Sequence, residues 1–375
     1  MSEWVTPERV FDGQVLTSGC SVRLVAGRVV EIAPRRADAR AIAGILSPGF
    51  VDLQVNGGGG VLLNSNPTPE GMLTIAVAHR ACGTVAILPT VITDEADVLA
   101  RAAEAVLAVR GQAGIIGLHI EGPHISQTRR GTHAARFVRP MEQATLDIVA
   151  GLRSADVPVM LTLAPEVASC EDVARLTAMG VVVSIGHSDA TAEQVEAAIV
   201  AGACCGTHLF NAMAPMTSRE PGVVGAILHS EVPFGIICDG YHVDDRMIRL
   251  ALRAAGPEAR AFLVSDAMAT IGGPDQFALY DEVVHLRDGR LINAEGGLAG
   301  AHITQARGVQ RLVADIGLSL EQALQMAVST PARVMGQPGL ARLEARALED
   351  VLVLSEQLEL VGTLAQMTQV APVQS

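Results

Sequence analysis

The stretch VVVSIGHSDATAEQVEAAIVAGACCGTH, residues 181–208, reads as one strand–helix–strand unit. Val181, Val182, Val183 and Ile185 make a short apolar run that ends at Gly186-His187. Residues 192–201 carry a helical pattern. Residues 203–208 form a second short run, and it too closes on a histidine, His208. Two buried strands joined by a helical crossover are the repeat of a parallel sheet covered by helices.

The same texture extends in both directions. Strand candidates fall at residues 49–55, 84–89, 115–121, 158–164, 181–187, 203–208, 235–239 and 261–266. Helical stretches between them fall at 69–80, 95–109, 141–152, 170–179, 192–201 and 245–254. Eight such units predict an α/β fold, a (β/α)8 TIM-like barrel. Before residue 49 the texture is different. Short alternating pieces flank turn residues, with Ala26-Gly27-Arg28 as a hairpin tip. A further strand-like piece, Asp350-Val351-Leu352-Val353-Leu354, lies near the other end. The two ends are expected to build one small β-sandwich domain from residues 1–48 and 346–375, around a barrel spanning 49–345. Residues from Gln366 onward read as a loose tail.

Composition narrows the function. The chain has 375 residues, 49% of them apolar, and a net charge of −13. An acidic surface argues against a nucleic-acid partner, and an anionic small molecule would have to be met by a few local cations. The cysteines, Cys20, Cys82, Cys170, Cys204, Cys205 and Cys238, include no C-x-x-C pair and read as buried reduced thiols. No signal peptide or membrane-spanning run is visible, so a cytoplasmic protein is expected.

The polar residues fall where the strands end. Gln54 and Asn56 close the first strand, Glu121 the third, His187 the fifth and His208 the sixth. Asp239 and His242 follow the seventh, and Asp266 closes the eighth. In a parallel barrel these ends open on one face, where barrel enzymes build their sites. Buried charges at so many strand ends would be costly without a task. Glu121, His187 and His208 form a candidate triad for one divalent metal, Zn2+ by donor type, with a position left for water. Asp266 beside such a group suits general acid/base work.

With these residues in place the chain resembles the N-acetylglucosamine-6-phosphate deacetylases of the amidohydrolase superfamily. The matching motifs are Pro48-Gly49-Phe50-Val51-Asp52, Leu118-His119-Ile120-Glu121-Gly122-Pro123, Gly131-Thr132-His133, Gly186-His187-Ser188, Thr207-His208-Leu209-Phe210-Asn211-Ala212-Met213, Arg219-Glu220-Pro221-Gly222, Asp239-Gly240-Tyr241-His242 and Ser265-Asp266-Ala267. The resemblance implies a hydrolase that removes acetate from an N-acetyl amino sugar phosphate, with Glu121, His187 and His208 on the metal and Asp266 as acid/base. It implies that His133 polarises the carbonyl. Thr132, Asp239, His242, Leu298, Ala299 and Gly300 would contact the sugar, and Asn211, Ala212 and Arg219 the phosphate. It also implies a homodimer in which Arg219 reaches the neighbouring site. A guanidinium suits a phosphate on physical grounds as well.

Gln54-Val55-Asn56 occupies the place of the H-x-H pair that holds a second metal in many amidohydrolases. Amides are poor zinc ligands, so one metal is expected. Alternative readings are a deacetylase for N-acetylgalactosamine 6-phosphate, an amidohydrolase of acylamino acids or cyclic amides, and a non-catalytic barrel. The complete triad with Asp266 argues against the last, and Arg219 with Asn211-Ala212 against the second. The roles of His124, Arg129 and Arg130 stay open, and the turn pattern around Gly339 departs from the family's usual one.

Overall fold

The computed structural model describes residues 2–256, 260–294 and 296–369. Eight parallel strands form one sheet in chain order: Phe50–Val55, Thr84–Ile92, Leu118–Glu121, Val159–Leu163, Val182–Ile185, Cys205–Gly206, Phe234–Ile236 and Ala261–Leu263. A parallel bridge from Val55 to Ala267 joins the last strand's exit to the first and closes the barrel. These are barrel strands one to eight, and all have fully or almost fully buried residues. Burial on both faces explains their continuous apolar runs.

Several crossover helices start on explicit caps. Thr191 and Ser169 each accept a backbone N–H three residues on, and Gln194 and Asp172 return the bond in a capping box. Thr68 caps a helix whose first residue is Pro69, where the missing N–H costs nothing. The helix after strand six, Gly222–His229, buries every residue except His229. It therefore lacks the one-sided pattern that marks the other helices in sequence.

Polar side chains also run through the barrel interior. His119 is hydrogen-bonded to Thr90 (3.2 Å) and Thr162 (2.8 Å), Thr162 to Thr207 (2.7 Å), and Thr207 to Ser184 (2.6 Å). Burial pushes the His119 imidazole down to about 4, so this layer is neutral and fully paired. It forms a satisfied floor beneath the strand ends.

The two chain ends meet as expected. Ile45–Pro48 pairs antiparallel with Val351–Leu354 inside a five-stranded sheet, despite the altered turn around Gly339. A four-stranded sheet holds Ser2–Thr6, Cys20–Val25, Arg28–Pro34 and Arg40–Ala41. Val5, Val22, Val29, Leu46, Val351 and Val353 form the core of this unit. The hairpin tip uses left-handed Ala26 (φ 50°) and Gly27 (φ 74°), the type I′ signature.

Three features differ from the sequence reading. A helix, Leu364–Gln369, stands where a loose tail was expected from Gln366; the rest of that tail lies outside the described residues. Leu364 is buried against the small β core, which is why the chain is ordered there. Cys170 and Cys204 are exposed rather than buried; all six cysteines are free. After strand eight an unforeseen three-stranded antiparallel sheet inserts, from Gln276–Leu279, Glu282–Arg287 and Arg290–Ile292. Among the described residues no helix is long and apolar enough to cross a membrane.

Candidate active site

The strands end earlier than the apolar runs, and the difference aims the site. Strand five stops at Ile185 and strand eight at Leu263, so His187 and Asp266 lie just beyond the ladder. His187 (φ 49°), His208 (φ 26°) and Asp266 (φ 50°) all adopt left-handed backbone, which non-glycine residues seldom do. Such strain persists only where surroundings impose it, and it clusters at functional sites. Here it gathers three side chains over one cavity.

That cavity, about 170 Å3, is lined by Asn56, Glu121, Thr132, His133, His187, His208, Asn211, Ala212, His242, Asp266, Leu298 and Gly300 among others. Glu121 Oε1 lies 3.2 Å from His187 Nε2 and 3.0 Å from His208 Nε2, and the two nitrogens are 3.1 Å apart. His187 Nδ1 lies 2.9 Å from the Arg129 carbonyl, which can only accept, so Nδ1 carries the proton. A neutral His187 therefore turns a bare Nε2 lone pair toward a carboxylate oxygen and another imidazole nitrogen. Such a meeting of acceptors is what a cation resolves. Donor atoms around an ion with bonds of about 2.0–2.1 Å should be roughly 3.3 Å apart in a tetrahedron, close to the spacing seen. The spacing of Glu121, His187 and His208 fits a divalent metal by this test.

His133 also brings a ring nitrogen within 4.8 Å of donors on Glu121 and His187. The tighter convergence at 3.0–3.2 Å favours His208 as the third member. His133 instead bonds Thr93 Oγ1 through Nδ1 at 2.7 Å, and its ring lies 4.4 Å from that of His187.

The electrostatics follow from packing. Burial alone would raise Glu121, but the His187 and His208 imidazoles beside it outweigh that and hold its carboxyl well below the usual range. Burial alone would lower His208, and Glu121 overrides that too, leaving the imidazole raised. Asp266 is pushed up to about 6, first by burial and then by the neighbouring Glu121 charge. Gln54 Nε2 donates to Glu121 (2.9 Å) and to Asp266 Oδ1 (3.2 Å), and Asn56 Nδ2 donates to the same Oδ1 (2.6 Å). The two amides thus orient Asp266 from the position where other barrels carry H-x-H.

Around this centre, Asp239 Oδ2 lies 2.6 Å from His242 Nδ1, and its Oδ1 accepts from the backbone of Tyr241 and His242. Asp239 thereby sits behind His242 and fixes its ring. Ala299 is fully buried between Leu298 and Gly300. Arg219 is exposed and lies outside the cavity lining. The residues left open in sequence now have partners. His124 bonds the Arg139 and Pro140 carbonyls and Thr145, so it is structural. Arg129 pairs with Asp189 at 2.8 Å, and Arg130 donates to the carbonyls of Gly131 and His133. Together they pin the loop that carries Thr132 and His133. Sequence reasoning missed Thr93 and Tyr280, whose phenol donates to the Thr93 carbonyl. No motif marks either residue.

The model of the amidohydrolase family matches residues 45–371. An N-acetylgalactosamine-6-phosphate deacetylase of Shewanella sp. is 43% identical over 306 residues, covering 80% of this chain and 77% of that protein. A human N-acetylglucosamine-6-phosphate deacetylase is 35% identical over 348 residues, covering 88% and 84%. The crystal structure of N-acetylglucosamine-6-phosphate deacetylase from Pasteurella multocida superposes with a TM-score of 0.89 at 30% identity, covering 97% of this chain and 98% of that one.

Proposed function

We propose, from the premise that this chain belongs to the amidohydrolase family, that it hydrolyses N-acetyl-D-glucosamine 6-phosphate to glucosamine 6-phosphate and acetate. The observation that carries the reading is a single cavity joining the Glu121–His187–His208 group to Asp266 and His133. Glu121, His187 and His208 would hold one ion, zinc by donor type. When bound it supplies Lewis acidity, which lowers the pKa of water and favours developing negative charge on oxygen.

The protein groups do the rest. His133 donates to the acetamide oxygen and holds the carbonyl in place. Asp266 takes a proton from the attacking water as the new C–O bond forms. It returns that proton to the nitrogen as the C–N bond breaks, so acetate and the free amine leave together. A carboxyl held beside the attacking water can accept the proton and return it, which serves both steps. Gln54 and Asn56 anchor Oδ1, which leaves Oδ2 for the transfer. They also leave no second pair of metal ligands, so one ion suffices. Thr132, His242 held by Asp239, Leu298 and Gly300 surround the sugar, while Ala299, expected there from the sequence, is fully buried and outside the cavity lining. Asn211 and Ala212 meet the phosphate, and Arg219, exposed on its own protomer, reaches it from the partner in a homodimer.

The test is release of acetate and amine by the zinc-loaded protein from N-acetylglucosamine 6-phosphate and from the unphosphorylated sugar. Turnover of the phosphorylated sugar alone is expected. The Shewanella relative favours a second reading, the C4 epimer N-acetylgalactosamine 6-phosphate. A kcat/KM for that epimer above the value for the gluco sugar would make it the substrate.

A further inference from the structure

On the reading that His133 meets the acyl carbonyl, we propose that Thr93 and Tyr280 form a positioning relay that fixes His133 as a hydrogen-bond donor. His133 is 2% exposed, so its ring nitrogens cannot trade partners with bulk water. Its Nδ1 is 2.7 Å from Thr93 Oγ1. That hydroxyl has one proton, and its other acceptor, the Glu121 carbonyl, is farther away at 3.3 Å. Given to the nearer partner, the proton makes Nδ1 the acceptor and leaves Nε2–H facing the cavity. The opposite tautomer would leave Nε2 bare, and a ring nitrogen of His133 lies within 4.8 Å of ligand atoms on Glu121 and His187. His133 would then be a ligand and not a carbonyl partner. The Thr93 hydroxyl chooses between the two.

Thr93 follows strand two directly, and its carbonyl accepts from the Tyr280 phenol. Tyr280 sits in the turn between Gln276–Leu279 and Glu282–Arg287 of the inserted sheet, in left-handed backbone at φ 52°. A non-glycine residue is strained there. The turn alone gives no reason for a tyrosine. Its ring lies 6.1 Å from Phe137, and burial keeps the phenol protonated as a donor. The insertion is thus tied to the residue that sets the His133 tautomer, across 187 positions of chain.

Thr93→Val, Thr93→Ser, Tyr280→Phe and Thr93→Val/Tyr280→Phe test the relay in the zinc-loaded enzyme. Losing one well-placed hydrogen bond predicts a fall in kcat of about tenfold for Thr93→Val and about threefold for Tyr280→Phe, with KM within about twofold. Thr93→Ser, which keeps the hydroxyl, should restore kcat. The double variant should be no slower than Thr93→Val, because Tyr280 acts only by placing Thr93. Nitrogen-15 shifts of histidine-labelled protein, with His133→Asn for assignment, should report the Nε2–H tautomer in the parent. Near-parent kcat for Thr93→Val, multiplied effects in the double variant, or an Nδ1–H tautomer would each overturn the relay. Failure of the parent to release acetate from either amino sugar phosphate would defeat the functional reading instead, and the ring shifts would still decide the tautomer.

Discussion

Replacing Asp266 by asparagine should remove turnover and stabilise the metal-free fold at the same time. The folded carboxyl is raised to about 6 from an ordinary 3.8, chiefly by burial and then by Glu121. Below pH 4 the folded and unfolded chains both hold the proton, and no penalty exists. Between pH 4 and 6 the unfolded chain releases it first, and above about 6 the whole cost of a buried charge is present. The full shift corresponds to about 3 kcal/mol. Asp266 keeps some access to the cavity, which screens part of this, so a gain of about 1–2 kcal/mol is expected for Asp266→Asn. The asparagine oxygen can still accept from Asn56 and Gln54, so the packing is kept. With an unfolding entropy of about 0.8 kcal/mol per kelvin for 375 residues, Tm should rise by about 1–3 °C. The assay is thermal unfolding of chelator-treated parent and variant at pH 7.5 and pH 4. The gain should appear at 7.5 and vanish at 4. A variant less stable than the parent at pH 7.5, or an equal gain at both pH values, would refute the reasoning. Zinc-loaded Asp266→Asn should bind metal normally and lose kcat by about 10²-fold or more.

Metal analysis should give about one equivalent per chain after zinc loading, because Gln54 and Asn56 replace the ligands of a second ion. Glu121→Gln should lower that stoichiometry and remove activity, since it leaves two imidazoles without their carboxylate. Arg219→Ala should raise KM for the phosphorylated sugar about tenfold or more with kcat within about twofold, read in steady-state kinetics. Mixing that variant with Asp266→Asn should restore a fraction of active sites if the arginine acts across a dimer.

The barrel was legible because its strands are buried on both faces and its candidate catalytic groups sit at their ends. The run from Val181 to His208 alone carries strand, helix and two site histidines. Less legible were features with no local signal. Gly222–His229 buries nearly every residue and so shows no amphipathic period. The inserted sheet after strand eight places Tyr280 against Thr93 through a contact that no spacing announces. Gln54 and Asn56 were legible as a missing metal pair, but their hold on Asp266 appears only in three dimensions. Arg219 is implied by the resemblance and supported by its charge, and because it is exposed outside the cavity, the phosphate role proposed for it calls for a second protomer.

The most direct measurement is kcat/KM for acetate release by the zinc-loaded protein with N-acetylglucosamine 6-phosphate, beside the unphosphorylated sugar and the galacto epimer. Rapid hydrolysis of the 6-phosphate, lost on chelation and restored by zinc, with little activity on the unphosphorylated sugar, is the predicted result. Zinc-loaded protein that releases no acetate from either phosphorylated sugar would contradict the account.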